Sequence, residues 1–160
     1  MSLADRGRPV LAALLLILTP GAALAAALEI LSDDGAPAAV IAVPDDGGWC
    51  LDWRHSVTGG AVRDCFTIAG GRMTLELSYL HDAAAGLGHI AGRGTQRSAA
   101  GGGYWIEGID ERVAGDALRL RVGGPDIGHR ITAGDVAFDL TRHAAGERVT
   151  LRPVQPSRGE

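Results

Sequence analysis

The amino-acid sequence predicts an all-β fold, a small barrel or sandwich of about eight or nine short, mostly antiparallel strands. Apolar and polar residues alternate along several short runs, as they do in strands that bury one face. Clusters of glycine, proline and aspartate separate these runs at short intervals. Outside the N-terminal region, no long stretch repeats apolar residues with the period of an amphipathic helix. The chain of 160 residues is long enough for one domain core.

The N-terminal segment 1–25 predicts a secretory signal peptide. Arg6 and Arg8 precede an uninterrupted apolar run at 10–18, and the sequence Ala23-Leu24-Ala25 offers small residues to a signal peptidase. The apolar run is shorter than the ~20 residues that a membrane-spanning helix needs. We therefore expect cleavage after Ala25, a periplasmic or secreted location, and no stable membrane insertion of the remaining chain.

The rest of the chain predicts a single β domain at 26–154, followed by a flexible tail at 155–160. A short apolar piece at 28–31 comes first. Residues 81–103 are rich in glycine and lack any sustained period, which predicts a long loop. The predicted strands are 37–43, 49–57, 61–68, 72–80, 104–109, 117–122, 129–132, 136–140 and 148–154.

Charge and motifs argue against several classes of function. The formal net charge is −4, and such a mildly acidic chain has no electrostatic reason to bind nucleic acid or anionic lipid. The glycine-rich stretch is not followed by a Lys-Ser or Lys-Thr pair, so it does not predict a phosphate loop. His81 and His89 lie in or beside this stretch, and their spacing matches no zinc motif. We predict no cofactor and no metal.

The clearest hairpin joins 49–57 to 61–68. Gly59 and Gly60 suit a two-residue turn, and that turn places His55 opposite Asp64 on the buried face. A buried carboxylate needs a partner, and a nearby charge raises the proton affinity of an imidazole. The pair is then a structural clasp or an oriented imidazole for ligand binding or proton transfer. Ser56 points to the opposite face, so it is poorly placed as a nucleophile for His55.

The two cysteines, Cys50 and Cys65, leave two registers open. Export favours one disulfide between them. The glycine turn opposes it, because it places the two residues several positions apart along the sheet. In a second register, the numbers of two paired residues add up to four less than in the glycine-turn register. That register brings Cys50 opposite Cys65, at the expense of the two-residue turn. The sequence does not decide between a disulfide and two separate thiols.

Four short motifs of the chain recur together in a known family. They are Trp53-Arg54-His55-Ser56-Val57, the acidic residue Asp64, Ala85-Gly86-Leu87 in the glycine-rich loop, and His129-Arg130-Ile131 before Gly134. With these motifs the chain resembles the domain of unknown function DUF 1850, over about residues 47–154.

The resemblance implies a role rather than a chemistry. Family members are small exported proteins, often encoded beside components of TAXI-type TRAP transporters, which implies a periplasmic accessory role in solute uptake. TRAP transporter components or a small solute are then the expected partners. The expected ligand-binding residues are His55, Asp64, Gly86, Gly88 and His129.

Two other hypotheses remain open on the sequence. In the first, the chain is a small hydrolase that uses His55 as a base, with a nucleophile supplied by Ser78, Thr95 or Ser98. In the second, the chain is a purely structural envelope protein, and its polar pair serves only packing.

Overall fold

The structure is a computed structural model, and it describes residues 26–82 and 92–154. The predicted signal peptide at 1–25 and the predicted tail at 155–160 lie outside the described residues. Residues 83–91 of the predicted loop, which include Gly86 and Gly88, also lie outside them. No helix in the described part of the chain is long and apolar enough to cross a membrane.

The all-β prediction is confirmed, although the described ranges contain eleven strands rather than eight or nine. A 3-10 turn at Ala114–Asp116 and the short helix α1 at Leu140–Ala144 are the helical elements among them. The strands are β1 (Ala27–Ser32), β2 (Pro37–Ala42), β3 (Gly48–Arg54), β4 (Ala61–Ala69), β5 (Arg72–Leu80), β6 (Thr95–Ser98), β7 (Tyr104–Arg112), β8 (Leu118–Arg121), β9 (Arg130–Ala133), β10 (Val136–Asp139) and β11 (Arg148–Val154).

The strands form two antiparallel sheets that share a core. The smaller sheet has the order β2-β1-β11-β8, and the larger has the order β10-β9-β3-β4-β5-β7-β6. The main core cluster takes Leu28 and Leu151 from the smaller sheet and Trp49, Phe66 and Ile131 from the larger. Because apolar side chains of both sheets pack in this cluster, the fold is a two-layer sandwich.

Two strands were not predicted, because neither shows an alternating pattern. In β1, Ala27, Leu28, Ile30 and Leu31 are all buried, so the strand is apolar on both faces between β2 and β11. In β6, all four residues are exposed and the strand lies at the edge of the larger sheet. A sequence that is uniformly apolar or uniformly polar carries no period-two signal.

Of the two registers that the sequence leaves open for the β3–β4 hairpin, the structure has the one that pairs the cysteines, and the glycine-turn register is wrong. Cys50 lies opposite Cys65, and the two form a disulfide with their Cα atoms 4.0 Å apart. Residues 55–60 therefore form a six-residue β3–β4 loop instead of the end of a strand and a two-residue turn. With β3 ending at Arg54, His55 does not face Asp64. Leu51 is the residue of β3 that lies opposite Asp64.

Cross-strand side-chain pairs favour this register over the glycine turn. Trp49 stacks on Phe66 with ring centroids 4.5 Å apart. On the outer face, the Arg63 guanidinium donates to both carboxylate oxygens of Asp52, at 2.5 and 3.2 Å. Aromatic and opposite-charge pairs each stabilise a sheet by roughly 0.2–1 kcal/mol, and this register satisfies both pairs as well as the disulfide.

Candidate functional site

Two of the predicted site residues, His55 and His129, line one groove of about 420 Å³. A volume of this size falls within the roughly 300–1,000 Å³ of small-molecule sites. The groove lies where the end of β3 in the larger sheet meets the end of β8 in the smaller one. Its lining consists of Trp53, Arg54, His55, Ser56, Arg121, Val122, Gly123, Gly124, Ile127, His129 and Gly146.

His55 is oriented by its own loop. Its Nδ1 atom accepts hydrogen bonds from the backbone N–H groups of Val57 and Thr58, at 3.3 and 3.4 Å. Its backbone N–H donates to the Gly60 carbonyl, and its carbonyl accepts from the Gly59 N–H, both at 2.8 Å. A neutral imidazole that accepts at Nδ1 carries its proton on Nε2. Within the described residues, the Nε2–H group of His55 has no acceptor, so it is available to a ligand.

His129 is held by a network centred on Thr141, in the first turn of α1. The His129 backbone N–H donates to Thr141 Oγ1 at 2.8 Å. The Thr141 hydroxyl donates to the Gly123 carbonyl at 3.3 Å, and the Gly123 N–H donates to His129 Nδ1 at 3.1 Å. The second histidine of the groove therefore has the same tautomer as the first, with the proton on Nε2.

Burial keeps His129 neutral. The side chain is almost fully buried, and the loss of hydration lowers the pKa of His129 below its usual value. Protonation would also place a second N–H on Nδ1, directly against the Gly123 N–H that now donates to it. The Trp53 ring stacks near the imidazole, with centroids 6.1 Å apart and planes inclined by 21°. His129 is therefore a fixed, uncharged hydrogen-bond donor in the groove.

Asp64 is not part of this groove. It lies on the inner face of the larger sheet, between Leu51 and Ser78 on the neighbouring strands. The buried Ser78 hydroxyl donates to Asp64 Oδ1 at 2.6 Å. Burial raises the pKa of the Asp64 carboxyl, while the Ser78 hydrogen bond and the Arg93 charge act in the opposite direction. The expected His55–Asp64 pair is thus replaced by a Ser78–Asp64 pair inside the sandwich.

Replacing Asp64 by asparagine is expected to stabilise the protein at neutral pH by about 1 kcal/mol. Asparagine keeps the acceptor for Ser78 and removes a half-buried charge. A carboxyl whose pKa is raised by folding stabilises the protein fully below its unfolded pKa, and loses this contribution as the pH rises through the folded pKa. The gain should therefore appear at pH 7 and vanish near pH 3. Urea unfolding of both proteins at the two pH values measures it.

A lower free energy of unfolding for Asp64→Asn at pH 7 would contradict this account. It would mean that the Arg93 charge and the Ser78 hydroxyl stabilise the carboxylate by more than its burial costs. Asp135→Asn provides the control, because Asp135 is exposed in the turn between β9 and β10. The control variant is expected to change the free energy of unfolding by less than about 0.5 kcal/mol.

The hydroxyl groups proposed as nucleophiles lie away from His55. Ser78 donates to Asp64 from β5, while Thr95 and Ser98 are exposed on the edge strand β6. The hydroxyl that shares the groove with His55 is that of Ser56, which is exposed and forms no hydrogen bond with the imidazole. Residues 26–82 and 92–154 contain no group of three or more His, Cys, Asp or Glu side chains that could hold a metal ion.

Several groove residues were not predicted from the sequence. Arg54 and Arg121 contribute the two positive charges, and Trp53 and Ile127 contribute apolar surface. Arg54 is part of the family motif that also contains His55, so its position beside the histidine was a usable signal. Arg121 comes from the other sheet, and no local pattern connects it with residue 55.

The fold and the groove define a class of protein, an all-β sandwich with a small polar groove between the ends of its two sheets. The family model described as "Domain of unknown function (DUF1850)" matches residues 50–140. The chain belongs to this family. The matched range includes every lining residue of the groove except Gly146. Comparisons with curated proteins and with solved structures give no match.

Proposed function

We propose that this protein is an exported accessory or binding domain that holds a ligand in the groove of His55 and His129 and supports TRAP-type solute uptake. The observation that carries the proposal is the groove itself. Two imidazoles from two different loops line this concave surface between the two sheets, and each accepts at Nδ1, which leaves its Nε2–H group as a donor. A site built from fixed donors in a cavity of this size is suited to binding a small molecule.

Export is part of this proposal and is supported by two features of the chain. The N-terminal segment has the charged start, apolar run and Ala-x-Ala site of a signal peptide. Cys50 and Cys65 form a disulfide, and disulfides persist in oxidising compartments such as the periplasm. The association with TRAP transport comes from the family resemblance alone.

The hydrolase hypothesis is less well supported than binding. A general base must reach the hydroxyl it deprotonates, at ≈ 2.6–3.2 Å. The Nδ1 atom of His55 already accepts from two backbone N–H groups. Of the three hydroxyls proposed as nucleophiles, Ser78 donates to a carboxylate inside the sandwich, and Thr95 and Ser98 lie on the edge strand β6.

The purely structural hypothesis predicted a closed, apolar core around His55. The side chain instead belongs to the β3–β4 loop, is partly exposed, and borders an open groove beside two arginines. Its neighbours Ser56 and Val57 are exposed. A histidine that served only packing is expected in a closed, apolar environment, and His55 does not lie in one.

The test is a quantitative pull-down from envelope extract with the protein tagged at its C-terminus. We expect the wild type to recover a TRAP permease or solute receptor, and His55→Ala to recover several-fold less of it. His143→Ala is the matched control, because this histidine is exposed on α1 and lies outside the groove. Its recovery is expected to equal that of the wild type.

Thermal unfolding of the same three proteins separates binding from folding. His55→Ala removes an acceptor from two exposed loop N–H groups, so a loss of less than about 1 kcal/mol is expected. Equal recovery of the transporter by all three proteins, or recovery of no transporter component by the wild type, would overturn the accessory role. A collapse of the fold in His55→Ala would instead support a purely structural role for the histidine.

A further inference from the structure

We infer that the groove selects a small organic carboxylate, which is held by Arg54 and Arg121 and by the Nε2–H groups of His55 and His129. This inference rests on the proposed ligand-binding role and adds the chemical class of the ligand. It follows from the charges, the hydrogen-bond donors and the apolar surface of the groove.

The charge of the groove differs in sign from that of the chain. The formal net charge of the protein is −4, yet the lining contains two arginines and neither aspartate nor glutamate. Within the described residues, neither Arg54 nor Arg121 forms an ion pair, so neither charge is neutralised by a carboxylate of the chain. Two unpaired arginines in one concave site favour an anionic ligand.

The two imidazoles of the groove are also donors, and Ser56 adds a hydroxyl that can donate or accept. Each imidazole accepts at Nδ1 from backbone N–H groups, which leaves Nε2–H as its remaining polar group. A neutral imidazole donates to an anion without the cost of burying a second positive charge. The donors therefore match a group that only accepts hydrogen bonds, as an ionised carboxylate does.

Apolar surface beside the donors argues for an organic body on the ligand. Trp53, Val122 and Ile127 line the same groove. The Trp53 ring is partly exposed and stacks on the buried His129. A free phosphate or sulfate ion would leave this surface in water, whereas a carboxylate with an aromatic or aliphatic body covers it.

Acidic residues near Arg121 could neutralise its charge in place of a ligand. Arg121 also borders a neighbouring groove that contains Asp33, Asp34 and Glu147. None of the three forms an ion pair with Arg121 in the described residues, and none lines the histidine groove. Arg119 faces the same way from two positions earlier in β8 but does not line the histidine groove, which makes it a matched control.

The experiment titrates the full protein with carboxylates and their uncharged amides, by calorimetry and by shifts of backbone amide resonances. The probes are benzoate with benzamide, glutarate with glutaramide, and inorganic phosphate. We expect the carboxylates to bind and to shift the Gly123 and Gly124 resonances. Arg121→Gln and Arg54→Gln should each weaken binding by about tenfold or more, the equivalent of one charge-assisted hydrogen bond. Arg119→Gln should leave the affinity unchanged.

The other outcomes would overturn the inference. Equal binding of an amide and its carboxylate would show a groove without selectivity for charge, while the proposed binding role would stand. Binding of phosphate in preference to both carboxylates would assign the groove to a different anion. The absence of binding by any probe, with transporter recovery that still depends on His55, would assign the groove to a protein partner. A short peptide with a free C-terminal carboxylate, compared with its C-terminal amide, then tests whether that partner presents the same group.

Discussion

Removal of the disulfide is expected to lower the free energy of unfolding by about 3 kcal/mol. Cys50 and Cys65 are separated by 15 positions, and the bond closes a loop of that length in the unfolded chain. Opening the loop increases the conformational entropy of the unfolded state. The two side chains lie on the outer face of the larger sheet and are only partly buried, so Cys50→Ala with Cys65→Ala leaves no core cavity.

Urea unfolding followed by tryptophan fluorescence measures this loss, because Trp49 stacks on Phe66 beside the disulfide. The wild type with reductant should unfold like the double alanine variant, and the variant should not respond to reductant. A matched control replaces the partly buried cross-strand pair of Thr67 on β4 and Thr74 on β5 by alanine. It is expected to cost about 1 kcal/mol or less. An unchanged free energy of unfolding in the cysteine variant would contradict the prediction.

The fold class could be predicted from the sequence because most strands bury one face and expose the other. The nine predicted strands all exist, with ends that differ by a few residues. The short helix α1 was not predicted, because five residues are too few to show a helical period. Its start is marked only by Asp139, whose carboxylate accepts from the Arg142 N–H at 2.9 Å.

The sequence left two registers open for the hairpin, and the predicted pairing of His55 with Asp64 relied on the glycine turn. A Gly-Gly pair is a strong local indication of a two-residue turn. Against it stood three long-range pairs that share one register, the disulfide, the aromatic pair of Trp49 and Phe66, and the ion pair of Asp52 and Arg63. In the structure the glycine pair only completes a longer loop, in which Gly59 adopts a positive φ of 69°. Covalent and side-chain pairing thus outweighed turn preference.

The predicted site residues do not all lie together in the structure. His55 and His129 were singled out by the family motifs, and the groove brings them together. Asp64 was assigned to the site through the wrong register, and it belongs to the interior of the sandwich. Arg121 reaches the groove only through the packing of the second sheet, which no local pattern in the sequence encodes. Contacts between sheets depend on topology, and they are therefore the part of a site that sequence patterns predict least.

Replacing Gly123 by alanine is expected to cost about 2 kcal/mol and to distort the groove. A Cβ atom at this position would lie 2.5 Å from both Cβ and Cγ1 of Ile127. Neither residue has room to retreat. The Gly123 backbone bonds to His129 and to Thr141, and the Ile127 carbonyl accepts from the Arg54 N–H at 2.8 Å. Relief of the clash must therefore move the loop that orients His129.

Gly124 supplies a matched control in the same loop and the same groove. A Cβ atom there would meet nothing within 4 Å, so Gly124→Ala is expected to change the free energy of unfolding by less than about 0.5 kcal/mol. Thermal unfolding and the imidazole ¹⁵N resonances of His129 check both variants, because loss of the Gly123 hydrogen bond changes the Nδ1 shift. Equal stability of the two variants would mean that the loop adapts freely. The histidine would then be held by its hydrogen bond to Thr141 rather than by the close packing of Gly123 against Ile127.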